Sequence, residues 1–195
     1  MRIFLLKIHK KPKIISIKNL DRFKLKQNEI LLLFGGDEML SKYKYENLSK
    51  EDKIKIDSNP NLANKNEFKI ARALLFEFEK NYKFAQTIHQ SISHSANHAI
   101  LAISLDKVGI DLEAIKNRDF YPHLDFCFSD DEKYKVQNSP NPLKEFYKIW
   151  TYKEASLKFF NLGFYALDTM QENTTRHFSD ILYNRESKFI YSVAY

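Results

Sequence analysis

Val108-Gly109-Ile110-Asp111-Leu112-Glu113 alternates apolar and acidic residues. This is the period-two pattern of a half-buried strand, so Asp111 and Glu113 point to one face and Ile110 and Leu112 to the other. Two carboxylates on one face form a pair of hard oxygen ligands. The same alternation also describes the solvated face of an edge strand, and taken alone it leaves both readings open. Upstream, Ala99 to Leu105 is an apolar strand joined to Val108–Leu112 through Asp106-Lys107, which suggests a hairpin. Downstream, Pro140 and Pro142 precede a helical stretch from about Leu143 to Phe160, in which Phe146, Ile149, Trp150, Leu157 and Phe160 can share an apolar side.

Working outward, Ile3–Ile8 and Ile30–Phe34 read as strands, the second followed by the turn Gly35-Gly36-Asp37. Ser49 is placed to cap a helix. Phe68, Ala71, Leu75 and Phe78 recur at helical spacing before Asn81. Phe178–Leu182 and Phe189–Ala194 read as closing strands around Asn184-Arg185-Glu186. No sequence repeat is present, yet each half combines strands with one long helix. The expected class is α+β, with two similar subdomains meeting near residue 100.

The 195 residues suffice for one large or two small folded units. Only 4 residues are Gly, which argues against Gly-rich phosphate loops. The single cysteine, Cys127, allows neither an internal disulfide nor a cysteine metal site, and a reducing cytoplasm is the expected setting. The run Ile3–Leu6 is too short for a signal-peptide core and is followed by Lys7, Lys10 and Lys11. No apolar run approaches the roughly 18 residues that a membrane-spanning helix needs. Residues 1–97 hold 19 Lys+Arg against 11 Asp+Glu, and residues 98–195 hold 12 against 14. Such a basic half suits nucleic acid, an anionic membrane, a phosphorylated cofactor or an acidic protein, and charge alone does not choose among them.

Two further segments carry candidate chemistry. Trp150, Glu154 and Lys158 lie at i, i+4 and i+8 on one helix stripe, either as a surface ion pair or as part of a site. Ser91-Ile92-Ser93-His94-Ser95 offers hydroxyls and an imidazole suited to phosphate oxygens, or a turn whose serines bond their own backbone.

Taken in order, Ser93-His94-Ser95, Gly109-Ile110-Asp111-Leu112-Glu113, Phe128-Ser129-Asp130-Asp131-Glu132 and Trp150-Thr151-Tyr152-Lys153-Glu154-Ala155-Ser156-Leu157-Lys158 closely resemble the Sfp-type 4'-phosphopantetheinyl transferases of the holo-acyl-carrier-protein synthase superfamily. The resemblance is firm from Ser91 to Lys158. Leu48-Ser49-Lys50-Glu51 and the helix bearing Arg72 look like the family's N-terminal segments. A Gly-Lys-Pro segment usual before the Ser-His motif is absent between Asn81 and Gln90, and Asn161 stands where a glycine commonly follows the long helix.

The resemblance implies two pseudo-symmetric α+β subdomains, residues 1–100 and 101–195, the second carrying the metal-site carboxylates. It implies a monomeric, magnesium-dependent enzyme that moves the 4'-phosphopantetheine arm of coenzyme A to a serine of an acyl or peptidyl carrier protein, as in fatty acid biosynthesis. Asp111, Glu113 and Glu154 are implied to hold Mg2+. Glu154, Lys158 and Asp111 are implied to be catalytic, and Ser93, His94, Lys153, Lys158 and Arg72 to contact the cofactor, with a carboxylate the equal alternative for Lys153. Asp130, Asp131 and Glu132 are expected to shape a helix or the carrier surface. Two alternatives stand beside this reading: a degenerate relative that binds coenzyme A or a carrier without transfer, and a basic nucleic-acid-binding module.

Overall fold

A computed structural model describes residues 1–7, 13–14, 24–82, 87–171, 174–184 and 187–195. Lys10, Lys11, the stretch 83–86 within the missing Gly-Lys-Pro region, and the Arg185-Glu186 turn lie outside the described residues. The chain divides into two units, Met1–Asp106 and Lys107–Tyr195. Helix and sheet are mixed in both, as the α+β class requires.

In the first unit, β1 (Arg2–Lys7), β2 (Lys13–Ile14), β3 (Glu29–Gly35), β4 (His89–Ser95) and β5 (His98–Ser104) form an antiparallel sheet in the order β2-β1-β3-β5-β4. Glu-Ile-Leu-Leu-Leu-Phe-Gly of β3 is buried at every position, as befits its place at the centre of the sheet. One face of the sheet, with Ile3, Leu31, Leu33, Leu101 and Ile103, packs on Ile70, Ala71, Leu74 and Phe78 of α2 (Asn66–Asn81). The shorter α1 (Lys50–Ser58) begins at Ser49, whose hydroxyl accepts from Asp52 N at 3.1 Å.

The Ser91–Ser95 segment is part of strand β4 and not an isolated turn. It pairs with β5 through Ala96 and Asn97, both in the left-handed region (φ 46° and 57°) that a tight two-residue hairpin requires.

The second unit has a three-stranded antiparallel sheet in the order β6-β8-β7, made from β6 (Gly109–Ala114), β7 (His177–Asn184) and β8 (Ser187–Ala194). The expected hairpin between Ala99–Leu105 and Val108–Leu112 does not form. β5 pairs with β3 and β4, whereas β6 pairs with β8. Alternation identifies the faces of a strand but says nothing of its partner.

Three helices follow β6: α3 (Tyr121–Cys127), α4 (Asp130–Gln137) and α5 (Pro142–Phe160). Asn141 caps α5 by accepting from Lys144 N at 3.0 Å, and Asn161 closes it in the left-handed conformation (φ 58°) that Asn tolerates better than most residues. α5 packs on β6 and β8. Its Phe146, Ile149, Trp150 and Leu157 join Phe120, Leu124, Phe128, Val136 and Ile190 in one core.

Candidate metal centre

Asp111 and Glu113 occupy alternate positions of β6, opposite Ser192 and Ile190 of β8, and their side chains therefore share a face. That face meets α5. The approach is close because residue 109 is glycine: a Cβ there would lie 2.0 Å from Ala155 O and 2.6 Å from Phe159 N. Sequence reasoning included Gly109 in a motif without finding this role, which depends on the packing of two elements distant in sequence.

With helix and strand this close, ligand oxygens of Asp111, Glu113 and Glu154 all lie within 4.8 Å of one another. Asp111 is buried, and Glu113 and Glu154 are partly so. Burial pushes the Glu154 carboxyl up to about 8, reinforced by the Asp111 charge, opposed by Lys158, and reinforced again by Glu113 and a hydrogen bond with Asp111. Clustered carboxylates that resist joint ionisation are what a divalent cation relieves, and an all-oxygen donor set suits a hard cation. The donor set thus fits such an ion.

Lys158 is no simple surface partner of Glu154. Its ammonium donates across to β6, to Asp111 Oδ1 at 2.7 Å and Ile110 O at 2.9 Å. A hydroxyl chain braces the same interface two helical turns before Lys158, where Thr151 Oγ1 lies 2.7 Å from Ser192 Oγ and Ser192 Oγ 2.7 Å from Ser179 Oγ.

Of the two contacts expected of Lys153, cofactor or carboxylate, the structure has the carboxylate. The side chain is 0% exposed, and its ammonium donates to Glu132 Oε2 at 2.8 Å. Glu132 closes a capping box on α4, accepting from Ser129 N at 2.8 Å while Ser129 Oγ accepts from Glu132 N at 3.3 Å. Glu132 thus shapes a helix start, as its position in the third motif suggested.

The remaining candidates belong to the first unit. Ser93 and His94 are neighbours on β4 and face opposite sides of the sheet, Ser93 buried and His94 with its Nδ1 3.6 Å from Glu67 Oε2. Arg72 on α2 forms an ion pair from Nε to Asp52 Oδ2 at 2.7 Å, and its guanidinium lies over the Phe68 ring.

Residues 107–192 match the family model described as the 4'-phosphopantetheinyl transferase superfamily. A curated relative, the 4'-phosphopantetheinyl transferase gsp of Aneurinibacillus migulanus, is 38% identical over 82 residues. That alignment covers 40% of this chain and 33% of the relative, so the shared region is a third of the relative's length. No helix among the described residues is long and apolar enough to cross a membrane.

Proposed function

We propose, from the premise that the C-terminal unit belongs to the 4'-phosphopantetheinyl transferase superfamily, that this chain transfers the 4'-phosphopantetheine arm of coenzyme A to a serine of an apo acyl or peptidyl carrier protein with Mg2+ as cofactor. The observation that carries the proposal is the convergence of Asp111, Glu113 and Glu154 oxygens within 4.8 Å. These three residues would hold the ion. When bound, Mg2+ would supply positive charge against the pyrophosphate of coenzyme A.

In the reaction the carrier serine oxygen attacks the β-phosphorus of coenzyme A. The bond from that phosphorus to the bridging oxygen breaks, releasing adenosine 3',5'-bisphosphate and leaving a phosphodiester on the serine. Glu154 is the proposed acceptor of the serine proton, with Glu113 the second candidate. Glu154 would take the proton directly or through a water on the ion, which places the base within hydrogen-bond reach of the attacking oxygen. Lys158, already at the Asp111 carboxylate, is proposed to add a charge-assisted contact to a phosphate oxygen. Ser93, His94 and Arg72 are proposed cofactor contacts, supported by their match to the family's motifs and by the chemistry of hydroxyl, imidazole and guanidinium toward phosphate.

The test is a transfer assay with chelator, with Mg2+ restored, and with Asp111→Asn. Transfer should vanish with chelator, return with Mg2+, and stay absent in Asp111→Asn at a near-normal melting temperature. Undiminished transfer by folded Asp111→Asn would overturn the metal assignment.

A further inference from the structure

We infer that the buried Lys153–Glu132 pair is a positioning device that fixes the rotation of α5 about its axis and so holds Glu154 against Asp111 and Glu113. The inference rests on the metal site proposed above. Consecutive helix residues lie about 100° apart, so anchoring Lys153 toward α4 turns Glu154 toward the β6 side. The anchor is rigid at both ends. Glu132 Oε2 receives the Lys153 ammonium and the Ser129 backbone N–H together, and the ammonium also lies 5.6 Å from the Phe128 ring centre. α4, α5 and the entry residue Ser129 are thereby joined at one carboxylate.

Stability alone does not account for the pair. Both side chains are almost wholly excluded from water, at 0% and 3% exposure. Glu132 Oε1 is buried with no hydrogen-bond partner among the described residues. A buried ion pair with an unsatisfied oxygen is typically no more stabilising than apolar packing of the same volume, whereas its geometry is strict. That strictness falls one residue before a metal-site carboxylate. On the sheet side, Thr151 and Lys158 tie down the positions three before and four after Glu154. Lys153 supplies the constraint from the opposite side, and the rotation of the helix is then determined from two directions.

The experiment measures Mn2+ and Mg2+ binding to the full chain by calorimetry, with melting temperature and metal-dependent transfer measured in parallel, for wild type, Glu132→Gln and Lys153→Met/Glu132→Gln. Gln at residue 132 retains the capping oxygen, so α4 still has its start. Both variants should fold, with metal affinity lowered about 10–100-fold, the range usual for groups that orient metal ligands. The metal concentration for half-maximal transfer should rise in step, more than the KM for coenzyme A. If Glu132→Gln, which leaves the buried ammonium without a counter-charge, does not fold, the double variant decides by the same reading. Metal affinity within twofold of wild type in whichever variant folds would overturn the inference and leave the pair purely structural. Failure of the wild-type chain to bind either metal would overturn the metal site itself, and the inference with it.

Discussion

At the scale of single residues, the site is governed first by the burial of Glu154 and then by the neighbouring carboxylate charge of Asp111. Glu154 has its carboxyl raised from an ordinary 4.5 to about 8, so between those values the folded chain holds a proton that the unfolded chain releases. Stability of the metal-free protein should therefore fall as pH rises from about 4.5 to about 8. Urea midpoints across that range should show the slope in wild type and lose it in Glu154→Gln, and Mg2+ should reverse it. Lys158 makes a second case. Removing its ammonium strips buried Asp111 of a charged donor, so Lys158→Ala should cost about 1–3 kcal/mol without metal and less with Mg2+, which replaces the lost positive charge. Lys158→Glu should be worse on both stability and transfer. Unchanged midpoints and rates in both variants would show that this lysine is incidental. The same-face placement of Asp111 and Glu113 was legible from alternation alone. The partner of Lys158 was not, because helical spacing names Glu154 as its neighbour while the third dimension brings Asp111 nearer.

At the scale of elements, the closeness of α5 to β6 decides whether three carboxylates meet. Gly109→Ala places a methyl group against the α5 backbone at Ala155 and Phe159, where no flexible side chain can yield. It should cost about 1–3 kcal/mol, read as a lower denaturant midpoint at unchanged m, and should weaken metal binding in parallel. A midpoint equal to wild type would mean the two elements are looser than described. The long helix and its end before Asn161 were readable, since caps and periodicity are local signals, whereas the Ser129–Glu132 capping box emerged only with the structure. Strand partners were not, as β5 and β6 illustrate: adjacent apolar runs resemble a hairpin until each finds a better neighbour far along the chain. Of the two contacts open to Lys153, cofactor or carboxylate, the structure has the carboxylate, because a lysine beside a ligand residue on a helix points about 100° away from it.

At the scale of the whole molecule, two units divide the charge unequally. Met1–Asp106 carries 19 basic against 12 acidic residues, and Lys107–Tyr195 carries 12 against 13. The metal-ligand candidates lie in the nearly neutral unit, and the Ser-His segment and Arg72 in the basic one. Coenzyme A with Mg2+ should raise the melting temperature of the full chain by mass action, and added salt should reduce the effect. Salt-sensitive nucleic-acid binding with no response to coenzyme A would instead assign the basic unit another partner. Fold class was legible because both halves mix strand and helix periodicities, whereas composition left the partner of the basic half undetermined. The central claim is tested most directly by mass spectrometry of apo acyl and peptidyl carrier proteins incubated with coenzyme A, Mg2+ and this protein. The account predicts that a carrier gains the mass of one phosphopantetheine on its serine, with adenosine 3',5'-bisphosphate released and no gain with Asp111→Asn. Carriers of unchanged mass after incubation with folded wild-type protein, or an equal gain with Asp111→Asn, would contradict it.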